Sequence, residues 1–293
     1  MDVTEVLARM GGVATTTALE RAASRDLVRR GLASGEVIRL SRGRLALPTA
    51  DQAVRRAHAV TGVVSHLSAA AWWGWALKEQ PKSPEVTVPK DRRVAGDRRG
   101  IHFVDLSHAE VHDGIVTTPA RTLVDCLRQE PFDAGLAVAD SALRHSGRHQ
   151  ADLATIAHDV RGPGAPRVRR IAGVASARAA NPFESVLRAL ALEAGLAVEP
   201  QARVRHGREW VVPDLVDVVR RVVLEAESFG WHGDRAALHR DCRRYNWLVR
   251  HDWRVLRLPW EDVMHDQPYV TDLLGAIAAE QRTKVRASAG PTP

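Results

Sequence analysis

Residues 212–227 read VPDLVDVVRRVVLEAE, and this stretch governs the fold class of the C-terminal part of the chain. Val216 and Val218 precede, and Val222, Val223 and Leu224 follow, a basic break at Arg220 and Arg221. Two strands meeting at a tight turn fit that pattern, and apolar residues at successive positions imply a central strand covered on both faces. Into this apolar run are set Asp214, Glu225 and Glu227. If the turn near Arg220 holds two residues, the numbers of paired residues sum to an odd value. Asp214 then shares a face with Glu225 and Glu227, which already share one by the strand period of two. Three carboxylates on one patch repel unless a cation lies between them. Such a set holds Mg²⁺ or Mn²⁺ beside a phosphate, where the ion lowers the pKa of a water and offsets charge in the transition state. The plainer account, that one or two of them are solvated strand residues, sits poorly with the apolar neighbours, because buried carboxylates need partners.

Upstream, Asn181-Pro182 opens a helix with Phe183, Val186, Leu187, Leu190 and Ala194 on its apolar face. Glu184 in its first turn has two open readings: the second half of a capping box with Asn181, or a metal ligand. Three strand-like runs follow, Val198–Val204, Trp210–Val219 and Val222–Phe229. An amphipathic helix over 234–250, a strand over Trp253–Leu258 and a helix over Tyr269–Glu280 complete an α-β-β-β-α-β order with a terminal helix. Arg240, Arg243 and Arg244 lie near one face of the 234–250 helix, as phosphate contacts or as solvated charges. This domain is placed at 181–282, with a disordered tail at 283–293. Residues 161–180, opening on Arg161-Gly-Pro-Gly-Ala-Pro-Arg167, read as a linker.

Residues 1–50 predict three short helices and a hairpin, the plan of a winged helix-turn-helix. Val6, Leu7 and Met10 mark the first helix, Thr17-Ala18-Leu19-Glu20 is a capping box for the second, and Ser24 and Gly35 bound the third. A glycine turn, Ser41-Arg42-Gly43-Arg44, joins the strands of the wing. Arg25, Arg29 and Arg30 on the third helix and Arg39, Arg42 and Arg44 on the wing are candidate DNA-binding residues, since a guanidinium contacts guanine edges bidentately and also pairs with phosphates. Residues 51–160 form an α+β middle domain, with a Trp-rich helix over Val63–Leu77, strands at Pro84–Pro89 and Gly100–Asp105, and helices at Thr122–Leu127 and Gly135–Leu143. His66, His102, His108 and His112 make no tight ligand set there, and a nucleophilic role for Ser65, His66 and Ser68 is the lesser reading.

Composition narrows the class. The 293 residues carry 45% hydrophobic and 26% charged side chains, as in a folded multidomain α/β protein. Net charge is +7 with a pI near 10.2, which fits a polyanionic partner. Lysine occurs only at Lys78, Lys82, Lys90 and Lys284, so a compositional arginine bias explains the charge equally well, and placement has to decide. Cys126 and Cys242 lie far apart without metal-site spacing, the N-terminus is polar and acidic, and no apolar run spans a bilayer. A cytoplasmic protein is expected, with no membrane partner.

Two resemblances join these readings. Gly12-Val13-Ala14-Thr15, Ser24 to Gly31, Ile38 to Gly43, Ser65 to Ala70 and Thr118 to Asp125 resemble, in order, the N-terminal and middle regions of AbiEi-type antitoxins, repressors of type IV toxin–antitoxin systems, over about half of the chain. The family usually ends its wing on an aromatic residue, where this chain has Leu45. Asn181 to Glu184, Val212 to Asp214, Leu224 to Glu227, Gly230 to Gly233, Arg240 to Arg244 and Trp253 to Arg257 resemble the PD-(D/E)XK nuclease superfamily, closest to its very-short-patch-repair-like branch. That resemblance implies Asp214 and Glu225 as metal ligands, Glu227 at the usual lysine position and His232 as a general acid or base. The function expected is a DNA-binding protein whose Mg²⁺-dependent (or Mn²⁺-dependent) domain hydrolyses DNA phosphodiester bonds. The alternative is a repressor or antitoxin whose nuclease-like domain is inert, with a cognate toxin or a second copy as partner. A protein-interaction scaffold is a third reading.

Overall fold

The computed structural model describes residues 2–146, 150–227 and 235–288 of a mixed α/β chain. It divides into two compact units, Met1–Gly74 with Glu79–Cys126, and Trp75–Lys78 with Leu127–Pro293. Among the described residues no helix is long and apolar enough to cross a membrane.

The first unit opens with α1 (Val3–Arg9), β1 (Val13–Thr15), α2 (Thr16–Ala22), α3 (Arg25–Ser34), β2 (Ile38–Ser41) and β3 (Arg44–Ala46). Val6, Leu7, Leu19, Val28 and Leu45 form its core. Ser24 caps α3, its Oγ accepting from the Leu27 amide at 3.2 Å, and left-handed Gly35 ends that helix. The cap of α2 differs from the expected box at Thr17. Thr15, extended at the end of β1, accepts from the Ala18 amide at 3.1 Å, so the helix starts at Thr16. β1 also adds a third strand to the hairpin, in the order β1-β3-β2. A Cβ at Gly31 would lie 2.7 Å from Val3 Cγ1, so only glycine lets α3 approach α1 this closely.

The rest of this unit comprises α4 (Gln52–Val60), β4 (Val63–Val64), α5 (His66–Trp72), β5 (Val86–Val88), β6 (Ile101–Phe103), β7 (Val111–His112), β8 (Val116–Thr117) and α6 (Pro119–Gln129). The five strands order as β6-β5-β4-β8-β7. The single helix expected over Val63–Leu77 does not form. Val64 pairs with both Val86 and Val116 at the sheet centre, and left-handed Gly74 follows a helix of only two turns.

The second unit begins with α7 (Phe132–Ser146), α8 (Gln150–Asp159), α9 (Ala165–Val174) and α10 (Pro182–Glu193). The linker expected at 161–180 is corrected by α9, with Val168 and Ile171 buried. Glycine and proline in that stretch are helix-entry residues: Gly164 is left-handed at the N-cap and Pro166 occupies the first turn. The boundary expected at residue 160 also moves, because α7, α8 and α9 belong to the C-terminal unit.

Beyond α10 come β9 (Glu199–Pro200), β10 (Val204–His206), β11 (Glu209–Val211), β12 (Leu215–Asp217), β13 (Val222–Glu227), α11 (Arg235–Arg250), β14 (Arg254–Pro259), α12 (Trp260–His265) and α13 (Gln267–Ser288). The sheet order is β14-β13-β12-β9, with β13 and β14 parallel and the other pairs antiparallel. The runs expected over 198–204 and 210–219 each break in two, leaving β10 and β11 as a separate hairpin. Pro213, which lacks an N–H, and left-handed Gln201 lie at the break. Residues 283–288, expected in the tail, continue α13, while 289–293 lie outside the described residues. Leu215, Val222, Leu224 and Leu258 pack with α10 and α13 on one face of the sheet, and Val216 and Val223 pack with Leu248 of α11 on the other.

Asp140 of α7 and Arg188 of α10 form a buried ion pair in which Arg188 Nη2 donates to both carboxylate oxygens, at 2.7 and 2.6 Å. The Ser185 hydroxyl and the Ser176 amide also donate to Asp140, at 2.8 and 2.7 Å. Removing one partner strands a charge in the core, so Asp140→Ala is expected to destabilise the chain by about 3–5 kcal/mol. Urea unfolding measures this, and a loss below about 1 kcal/mol would mean the pair is solvated.

Candidate functional site

The carboxylates are brought together by the pairing of β12 with β13. Leu215 opposes Leu224 and Val216 opposes Val223, so Asp214 lies one step further on, beside Glu225. The connection is Val218–Arg221, four residues rather than two, which leaves the parity unchanged and Asp214 on the α11 face with Glu225. Asp214 Oδ2 accepts from the Ala226 amide at 2.9 Å, and its own carbonyl accepts from the Gln201 amide at 2.8 Å.

Glu225 lies buried in the central strand. Burial is the main cause that pushes its carboxyl up to about 8; the neighbouring Asp214 charge adds to the rise, and Arg244 opposes it. Arg244 of α11 donates to Glu225 Oε2 at 3.3 Å, while Oε1 is buried without a hydrogen-bond partner among the described residues. Glu184 forms the expected capping box. It completes the cap, accepting from the Ala180 amide at 2.9 Å and from Asn181 Nδ2 at 3.0 Å, while its own amide donates to Asn181 Oδ1 at 2.9 Å. It also reaches the site through Gln201, whose side-chain amide donates to Glu184 Oε2 at 3.4 Å and to Asp214 Oδ1 at 3.3 Å. Burial, and then the charge of Asp214, raise the Glu184 carboxyl.

Glu227 does not join Asp214 as expected. Its Oε1 accepts from the Tyr245 hydroxyl at 2.6 Å and from Arg257 Nε at 2.7 Å. The Arg257 hydrogen bond is the main cause that holds this carboxyl below its ordinary range. Parallel pairing sets Arg257 opposite Glu225, one strand over, from where it neutralises Glu227. Arg244, expected as a phosphate contact, turns inward onto Glu225, Asp241 and the Tyr245 hydroxyl. Arg240 and Arg243 are exposed. His232 lies outside the described residues.

Among the described residues no group of three or more His, Cys, Asp or Glu side chains converges as a ready-made metal cage. The residues nonetheless fit Mg²⁺ or Mn²⁺. Asp214 and Glu225 adjoin, the second keeps an unused buried oxygen, and Mg²⁺ commonly takes one or two carboxylates and completes its shell with water. Sequence reasoning misses Gln201, Tyr245 and Arg257 as site residues. Gln201 is within its reach, because it sits across the hairpin from Asp214, whereas Tyr245 and Arg257 reach the site only through the crossover helix and its parallel strand.

In the first unit Arg25 and Arg29 are exposed, near Glu20 at 3.8 Å and Asp26 at 3.3 Å, and Arg30, Arg39 and Arg42 are exposed as well. Arg44 departs from its expected place on the wing surface. It is half-buried and faces His58 Nδ1 at 3.4 Å and Thr61 Oγ1 at 3.1 Å, so it ties β3 to α4. His66 and His102 stack at 3.5 Å, and burial is the main cause that pulls His66 down to about 3. His66 is thereby held neutral in this contact. No family model matches the chain, and no characterised protein matches it.

A carboxyl raised in the folded state favours folding fully below its unfolded value of 4.5, and that contribution is lost as pH rises through about 8. Glu225→Gln is therefore expected to unfold at higher urea than the parent above about pH 8, with the difference vanishing near pH 4. Parallel stability–pH curves for the two chains would show that Glu225 keeps an ordinary pKa.

Proposed function

We propose that this chain is a DNA-binding protein whose first unit docks on DNA through a winged helix and whose second unit hydrolyses a phosphodiester bond at Asp214 and Glu225. The observation that carries the reading is the pair itself: half-buried Asp214 adjoins buried Glu225, which has one oxygen without a hydrogen-bond partner among the described residues, on the face that α11 covers. A divalent ion, when bound, supplies Lewis acidity and an activated water. Asp214, pinned by the Ala226 amide and Gln201, and Glu225, once deprotonated, are the residues to hold it. Arg244, beside Glu225, supplies positive charge on the same face, where a phosphate oxygen would gain it. Arg25, Arg29, Arg30, Arg39 and Arg42, exposed on α3 and the wing, support the docking role. The similarity to AbiEi-type antitoxins and to very-short-patch-repair-like nucleases supports the same division of labour.

A second reading has its own observation. Glu227 stands where such nucleases usually carry lysine, and it is neutralised by Arg257 and Tyr245. An inert domain serving a repressor or antitoxin fits that arrangement. The two readings part on one assay. Under the first, the purified chain nicks plasmid DNA with Mg²⁺ or Mn²⁺, and Asp214→Asn lowers the rate at least about a hundredfold, the scale of a missing charge-stabilising group. Under the second, no metal-dependent nicking appears, and DNA binding is unchanged by Asp214→Asn. In either case Arg25→Ala/Arg29→Ala/Arg42→Ala is expected to weaken duplex binding and flatten its salt dependence by about 0.9 for every phosphate no longer neutralised. Unchanged binding would remove the docking role.

A further inference from the structure

The β10–β11 hairpin leaves the carboxylate site and returns to it, entering at Gln201 and leaving at Asp214, whose backbones are hydrogen-bonded at 2.8 Å. Its two faces differ. Val204, His206, Glu209 and Val211 turn toward α11: Val204 and Val211 pack with Leu248, the His206 ring lies 4.0 Å from that of His251, and Glu209 accepts from the Trp247 indole at 2.6 Å. Alternation sends Arg203, Arg205 and Trp210 to the opposite face, with Arg205 and Trp210 directly paired across the strands. There the Trp210 ring is 52% exposed, with the Arg203 guanidinium 4.2 Å above it. Arg208 is exposed beside the turn at Gly207. None of these three arginines has a carboxylate within ion-pair distance among the described residues, although the hairpin's own Glu209 is close in sequence and is occupied by Trp247.

An indole held out into water on a short, fully paired hairpin, edged by three unpaired guanidiniums, matches one partner chemistry. Phosphates alone would need only the arginines. Acidic protein surfaces would gain nothing from a planar ring already stacked on a guanidinium. A ring and an arginine plane together stack on a base, and bases offer their faces only where they are unpaired. We infer that the outer face of the β10–β11 hairpin binds a single-stranded stretch of nucleic acid, with a base stacked on Trp210 and phosphates on Arg203, Arg205 and Arg208. This deepens the proposed function, on which it rests for the neighbouring carboxylates alone. The hairpin reaches about 20 Å from Gln201 to its turn, at about 3.3 Å per residue, enough to guide a strand of a few nucleotides toward Asp214.

The test uses the full chain carrying Arg25→Ala/Arg29→Ala/Arg42→Ala, so that the first unit contributes little, in EDTA, with a labelled 20-nucleotide single strand and the matching duplex. Trp210→Ala is expected to weaken single-strand binding at least about fivefold, the lower end for one stacked base, with Trp210→Phe restoring most of it. Arg203→Ala/Arg205→Ala/Arg208→Ala should reduce the salt slope by about 0.7 for each phosphate left without its arginine. Equal single-strand affinity for Trp210→Ala and its parent, with native circular dichroism, overturns the inference. So does an equal loss for duplex and single strand, which would assign the hairpin to the duplex backbone. Because cleavage is not read, an absence of nicking would defeat the nuclease reading and leave this result standing.

Discussion

A strand covered on both faces cannot carry an ionised carboxylate unless something replaces its water, and β13 carries Glu225 and Glu227 after the fully buried Val222–Leu224. The second unit solves this differently at each position. Glu227, near the strand's end, is given a guanidinium and a phenol. Asp214 is given the Ala226 amide and the Gln201 side chain. Glu225, in the deepest place, is given one Arg244 contact at 3.3 Å and otherwise a proton. That inequality follows from the antiparallel register of β12 and β13. A one-residue slip would turn Asp214 to the α10 face and leave Glu225 with Arg244 alone.

What is legible in the sequence is what is local. The caps at Ser24 and Asn181, the apolar faces of α3 and α10 and the parity that joins Asp214 to Glu225 depend on neighbours within a few residues or across one turn. Where sequence and structure part, two causes are at work. Proline and glycine around 162–166 punctuate a helix start as readily as a linker, and only the burial of Val168 and Ile171 chooses between them. Val63–Leu77 is apolar throughout, so no period separates the strand at Val63–Val64 from the helix after it, and sheet pairing decides. Side-chain partners reached through a crossover, such as Arg257 for Glu227, leave no trace in spacing at all.

Arginine content is an ambiguous sign because the same residue type does opposite work in this chain. Arg188 and Arg244 point inward and are neutralised by carboxylates, Arg257 is exposed but paired with Glu227, and Arg44 ties β3 to α4. Arg30, Arg39 and Arg42 on the first unit, and Arg203, Arg205 and Arg208 on the second, stand in solvent. A compositional bias would scatter arginines without regard to partner. Exposed arginines stand on the third helix, on the β2–β3 hairpin and on one face of the β10–β11 hairpin, and equally at Arg9, Arg21, Arg93, Arg178 and Arg243.

The charge balance around β13 bears on whether the site is built for a cation. Asp214, Glu184, Glu225 and Glu227 face Arg244 and Arg257, while Asp241 beside Arg244 lies at the solvated rim. Fully ionised, the four carboxylates exceed these two guanidiniums by two negative charges, and Arg144, whose charge also acts on Glu184, reduces the excess to one. The carboxyls raised above their ordinary values are Glu184 and Glu225, the two whose burial is not offset by a strong ion pair. Lysine at position 227 would leave Arg257 unpaired and reverse the sign of that balance, so the glutamate there keeps the surroundings of β13 acidic.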